Sequence, residues 1–293
     1  MSEFPRPSDA DLLFLEFDPD YAKVHFELVP ALARHDGGLY GGTAIAVSVA
    51  AMEAATQRGV LWITTQYVAT AQLGDVVECS VDVLASGRDI SQVQVTGRSN
   101  GQVMFVSIGS TATPRPGGFE GQFQTMPAVS APEESELMNF EFGRPGDIRG
   151  FGEQVEYLGA RILGPPESAP TMALWARVLG GHAITPAAIA FVADMVPPAV
   201  VRAAGMFGGG ISLDNALRFG PIPEGLEWVL LDLRGVMSHG AHGHGTVAVW
   251  SPDGQLLAIG GQSTNVLFVF TREQVDQMTA EGKGFPDPTK PRK

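Results

Sequence analysis

The chain has 293 residues, 44% hydrophobic and 17% charged, a composition that supports a buried core and excludes a disordered protein. Its net charge of −13 and pI near 4.8 argue against a nucleic-acid partner or an anionic membrane surface, both of which select a basic face. One cysteine, Cys79, rules out an internal disulfide and fits a reducing compartment. The opening MSEFPRPSDADLLF lacks the order of a secretory signal, and no apolar run reaches the ~18 residues of a membrane span. A cytoplasmic globular protein is expected.

In chain order, residues 42–57 (GTAIAVSVAAMEAATQ) are rich in Ala and Met and predict a helix ending before Gly59. Residues 77–83 and 92–96 alternate apolar and polar, the period of a half-buried strand, and 103–108 is a more buried run. From Pro114 to about Gly150 the chain is rich in Pro, Gly, Glu and Phe without periodicity, as in a linker. Thr185-Pro186 then supplies a cap and a first-position proline. The helix it opens is predicted to run through Val196 and stop at Pro197-Pro198. Strand-like runs follow at 211–219, 227–234, 246–250, 256–259 and 265–270, and the tail from about Glu281 reads as loosely attached.

The chain also repeats itself. Ser99-Asn100-Gly101-Gln102 and Pro252-Asp253-Gly254-Gln255 are both turn signals between apolar runs, each predicting a hairpin. The offset that superposes Gly101 on Gly254 also superposes Ser110-Thr111 on Ser263-Thr264. Helix then antiparallel meander, done twice, gives an α+β class. The expected units are 20–114, a crossover linker over 115–150, 151–272, and a tail over 273–293. Two such sheets could join edge to edge and cover the exposed strands that make isolated sheets aggregate.

Four segments carry a family resemblance. Leu39-Tyr40-Gly41-Gly42 precedes the first helix, and Ala193-Asp194-Met195 lies in the second. Ile211-Ser212-Leu213-Asp214 and Ala258-Ile259-Gly260-Gly261-Gln262 lie on strands. In this order, over about residues 20–272, they resemble the double-hotdog acyl-CoA thioesterases of the type II class. The resemblance implies a tandem double hotdog, each half a long central helix wrapped by an antiparallel sheet. It implies hydrolysis of an acyl-CoA to free acid and coenzyme A, with Asp194, Ser212 and Gln262 as the catalytic set and no cofactor. By analogy it implies a homo-oligomer. The family typically has Thr where this chain has Ser212, which keeps the hydroxyl and loses the methyl that restricts its rotamer.

Asp194 stands out on its own account, as the only charged residue between Pro186 and Val201. A carboxylate in such surroundings is costly unless hydrogen-bonded. It is either on the solvent face of its helix or a buried base held by Ser212 and Gln262. The repeat aligns Gln262 with Gly109 and Asp194 with Ala50 or Ala51, so one half alone carries this set; ordinary drift would also produce that difference. In the mechanism so implied, Asp194 takes a proton from water that Ser212 and Gln262 orient. Gly41 and Gly42 either offer backbone N–H groups to the thioester oxygen or simply form a tight turn before the helix.

Ser238-His239-Gly240-Ala241-His242-Gly243-His244 falls at a predicted hairpin turn with no acidic or Cys neighbour, so no metal site is assigned. His242, and Arg88 at the matching turn of the first half, are instead read as contacts for a nucleotide handle. Arg34, Arg58 and Arg218 are further candidates to offset the negative net charge. Gly208-Gly209-Gly210 runs into a strand, not a helix, so it is no phosphate loop, and no Gly-x-Ser-x-Gly elbow exists. Cys79 is placed on the apolar face of its strand. Two rivals remain: an enoyl-thioester hydratase, which wants an Asp/His pair, and a non-hydrolytic acyl-binding protein.

Overall fold

Sixteen residues of almost unbroken apolar character, Gly41–Thr56 (α2), have no polar face to give to water, and they form a helix buried along nearly its whole length. The computed structural model, which describes residues 4–138 and 148–281, wraps this helix in strands β3 (Gly59–Tyr67), β4 (Val76–Ser86), β5 (Ile90–Ser99) and β6 (Gln102–Ala112). A short helix α1 (Pro7–Leu13) and strands β1 (Glu16–Phe17) and β2 (Lys23–Glu27) precede them. Each side chain such as Ile45 or Met52 that α2 buries completely stabilises the fold by roughly 1.5–3 kcal/mol.

Beyond β6 come β7 (Glu136–Leu137), β8 (Val155–Gly159) and β9 (Met172–Val178). Helices α3 (Pro186–Val192) and α4 (Val196–Ala203) follow, then β10 (Phe207–Ser212), β11 (Asp214–Phe219), β12 (Val229–His239), β13 (His242–Trp250), β14 (Leu256–Phe270) and helix α5 (Arg272–Ala280). All strands belong to one antiparallel sheet in the order β1-β2-β4-β5-β6-β3-β11-β14-β13-β12-β9-β8-β7, with β10 also on β14. The two halves therefore join edge to edge at β3 and β11, where Thr65 pairs with Asn215. Helices α2 and α3 pack against each other on the same side.

Both predicted Asx-Gly hairpins form, the first through Asn100 and Gly101 at φ 49° and 79°. Cys79 is buried in the main core, as its alternation predicts. Several boundaries differ. Pro197 and Pro198 do not stop a helix; they occupy the first turn of α4, where a missing N–H costs nothing. The predicted single helix is thus two, bent by 41°, with Asp194 at the break rather than inside a helix. The run 211–219 is split between β10 and β11, whereas 256–259 and 265–270 are one continuous strand. Gly260 lies so close to β11 that a Cβ there would collide with the Ala216 carbonyl. Residues 139–147 of the expected linker and 282–293 of the expected tail lie outside the described residues, and 272–280 of that tail is helical.

Candidate active site

Thr185 caps α3, its hydroxyl accepting the Ala188 N–H at 3.0 Å, and Pro186 opens the helix. Seven residues later the helix ends, and Asp194 emerges at the junction with α4. Its carboxylate is buried but richly supplied with donors. On Oδ1 converge the Ser212 hydroxyl at 3.1 Å, the Asn215 amide at 3.4 Å and the Gln262 amide. The backbone N–H of Gly42, at the start of α2, is a further donor. Burial raises the pKa of Asp194 above the usual aspartate range, and the Gln262, Ser212, Gly42 and Asn215 hydrogen bonds counteract it. The solvent-face reading of Asp194 is thereby corrected: its side chain points into the protein, 7% exposed.

Gln262 has both ends of its amide engaged. Its Oε1 accepts the Val196 N–H at 3.0 Å, which satisfies the first turn of α4, and this fixes its NH2 toward Asp194. Gln262 therefore orients the carboxylate, and it is not among the residues lining the adjoining cavity. Ser212 does line it. Of the two residues expected to orient water, only Ser212 faces the cavity.

Gly41 and Gly42 are more than a turn. A Cβ on Gly41 would collide with Asp194 Oδ2, and one on Gly42 with the Phe191 carbonyl. Only glycines let the positive end of α2 reach the carboxylate. Tyr40 stacks on Phe151 with ring centroids 4.1 Å apart, and its hydroxyl donates to the Asp194 carbonyl at 3.4 Å. Tyr67 donates to the Gly41 carbonyl at 3.0 Å. The site thus draws on both halves across the β3–β11 seam.

A cavity of about 370 Å³ opens onto Asp194, Ser212, Gly41 and Tyr40. Apolar walls come from Ala44, Met104, Phe105, Phe151 and Met172, and charged groups from Arg34, Asp36 and Arg202. Arg88 and His242 are not among its lining residues. Arg88 is 90% exposed on the β4–β5 hairpin and pairs with Asp89 at 3.2 Å. His242 is exposed at the β12–β13 turn. The structure does not bring either to the other predicted site residues. Of the other arginines named, Arg34 reaches the cavity but is held by Asp36, Arg58 is spent on the Gly87 and Arg88 carbonyls, and Arg218 stacks over Trp62. Among the described residues no group of three or more His, Cys, Asp or Glu side chains is placed to hold a metal.

Sequence reasoning missed Asn215. Its signal was faint: a fully buried amide three residues after Ser212, legible only once β11 is known to begin at Asp214 and turn that side chain inward.

Two family models match the chain, the acyl-CoA thioesterase N-terminal domain over residues 31–112 and the C-terminal domain over 128–266. Among solved structures, a candidate thioesterase from Novosphingobium aromaticivorans is 29% identical with a TM-score of 0.73, covering 88% of this chain and 98% of that one. An acyl-CoA thioesterase II from Mycobacterium marinum is 18% identical with a TM-score of 0.68, over 88% and 96%. A hot dog fold protein of unknown function from Alicyclobacillus acidocaldarius is 18% identical with a TM-score of 0.72, over 88% and 97%. The last two likenesses are of fold. No curated protein matches the chain.

Proposed function

The chain belongs to the acyl-CoA thioesterase family, and from that premise we propose that it hydrolyses an acyl-CoA by direct attack of water, with Asp194 as the general base. The observation that carries this reading is the Asp194 carboxylate itself. It is buried, fixed through Oδ1 by three side-chain donors, and set beside a largely apolar cavity.

With Oδ1 so occupied, Oδ2 is the oxygen left to take a proton. Ser212 donates to Asp194 and keeps acceptor capacity toward the cavity. A water giving one hydrogen to Oδ2 and the other to Ser212 Oγ turns a lone pair toward the thioester carbon. Its oxygen forms the new C–O bond while its proton passes to Asp194. Negative charge then collects on the former carbonyl oxygen. Because Gly42 already serves Asp194, the Gly41 N–H and the positive end of α2 are the donors proposed for it. Collapse breaks the C–S bond, the thiolate leaves as coenzyme A after regaining the proton from Asp194, and the free acid departs. No covalent acyl-enzyme is required.

Release of thiol from a panel of acyl-CoA esters tests this reading. Asp194→Asn should lower turnover by at least ~100-fold, the lower end for loss of a general base. Its melting temperature should stay near the wild-type value, since the amide fits the same space. Undiminished turnover would remove Asp194 from the role. His35 lines the same cavity and gives the hydratase reading its aspartate–histidine pair, so hydration of enoyl-CoA without hydrolysis would favour that alternative. The proposal includes a cytoplasmic homo-oligomer acting in fatty acid metabolism; light scattering of the purified protein decides the subunit count.

A further inference from the structure

Two arginines flank one aromatic ring beside the cavity. Arg202, in the last turn of α4, places its guanidinium carbon 4.0 Å from the centroid of the Phe207 ring, and Arg272, at the start of α5, places its own at 4.5 Å. Arg202 and Phe207 both line the cavity that holds Asp194, and both arginines are exposed. Among the described residues neither guanidinium is in an ion pair. The other arginine of the cavity, Arg34, is different: it gives two hydrogen bonds of 3.0 Å to Asp36 and a third to the Leu39 carbonyl. Burial and then the charge of Arg272 push the Arg202 pKa down, as expected of neighbouring cations without a counter-ion.

Two adjacent arginines with no carboxylate between them stand out in an acidic chain. With 32 acidic residues against 19 basic ones, a basic side chain easily finds a carboxylate, as Arg88, Arg115, Arg161 and Arg177 do. Both guanidinium groups lie over the one Phe207 ring, and a planar fork held against an aromatic face is the group best suited to phosphate oxygens. It also supplies the local positive field that the negative net charge otherwise denies to an anionic substrate.

We infer that Arg202, Arg272 and Phe207 form the receptor for the phosphate groups of the coenzyme A handle, at the mouth of the Asp194 cavity. The inference rests on the thioesterase reading for the nature of the handle. It replaces Arg88 and His242 in that role.

The test uses one acyl group on three carriers: coenzyme A, dephospho-coenzyme A and pantetheine, which has no phosphate. Changing both arginines (R202Q with R272Q) should raise KM for the acyl-CoA at least ~10-fold, with a smaller effect on kcat, and should flatten the salt dependence of kcat/KM. The dephospho ester should lose less, and the pantetheine ester should be turned over equally by both proteins. An equal loss on all three carriers, or none on the acyl-CoA, overturns the assignment.

Equilibrium binding of coenzyme A alone separates the two proposals. Binding weakened at least ~10-fold in the double variant supports the receptor even if no thioester is hydrolysed, and in that case it is the thioesterase reading that fails. Equal binding by both proteins overturns the receptor while leaving hydrolysis intact. Restoration of most of the lost affinity by Lys at both positions would identify charge as the main contribution, and the remaining deficit would measure the planar fork.

Discussion

As the proposed base, Asp194 would have a strength set by its hydrogen-bond donors. Burial disfavours its charged form, and each hydrogen bond to the carboxylate restores part of the loss. The carboxylate must be ionised to accept a proton. The rate should therefore fall as pH drops through a value above that of an ordinary aspartate. Ser212→Ala deletes one donor that lowers the pKa, so the acidic limb of kcat/KM should move to higher pH, with a loss of about 10-fold at neutral pH, the worth of one charge-assisted hydrogen bond. Ser212→Thr keeps the donor and should leave the limb where it is. A limb unmoved by the alanine would mean that Ser212 does not act on the base. At this scale much was legible in the sequence, since a lone charge in an apolar helix requires partners. Asn215 was not, because its role depends on the direction in which a strand turns one side chain. Nor was the spent amide of Gln262, which depends on a helix beginning at Val196.

Helix ends, more than helix bodies, control this site. Gly42 lets α2 start against the Phe191 carbonyl, so Gly42→Ala should force the helices apart and destabilise the protein by about 1–3 kcal/mol in denaturant titration. Farther along α2, Glu53 is 1% exposed, paired with Arg6 and accepting the Val60 N–H at 2.9 Å. Burial pushes its pKa up to about 7, against the opposing charge of Arg6. Between the unfolded-state value of ~4.3 and about 7 the folded protein holds a proton that the unfolded chain releases. Stability should accordingly fall as pH rises through that window. Glu53→Gln should flatten this part of the melting-temperature profile, and an unchanged slope would assign it elsewhere. The element boundaries show where patterns mislead. Pro197-Pro198 is a stop signal in a continuing helix but a start signal after a break, and the sequence is the same in both cases. Strand β3 has no clean alternation because its register shifts between Val60 and Trp62, which conceals a segment otherwise full of strand-forming residues.

Across the whole molecule, one sheet and one pair of packed helices leave no boundary at which the halves could separate cheaply. Calorimetry should record a single unfolding transition; two resolved transitions would contradict the shared core of α2 and α3. The duplication that foretold this arrangement was readable from short turn motifs, because hairpin chemistry is local. Edge-to-edge joining was expected from the need to cover exposed strands; which strands meet, β3 and β11, was not legible, being set by contacts distant in sequence.

The first half retains a neutral counterpart of the Asp194 cluster. Ser107 donates to Ser48 of α2 at 2.8 Å and shares a hydrogen bond of 2.8 Å with Thr65, the residue paired with Asn215. At the other helix start, the second half has Thr185 as cap and Pro186 as first helical residue where the first has Tyr40 and Gly41, and Thr185 donates to Asp9 of α1 at 2.6 Å. Proline offers no N–H, and α1 covers what remains. One half has the glycine helix start without the acid; the other has the acid without that helix start. Two copies of either half would lack one component of this cluster. The two halves are complementary rather than equivalent, and the cluster exists only where one meets the other.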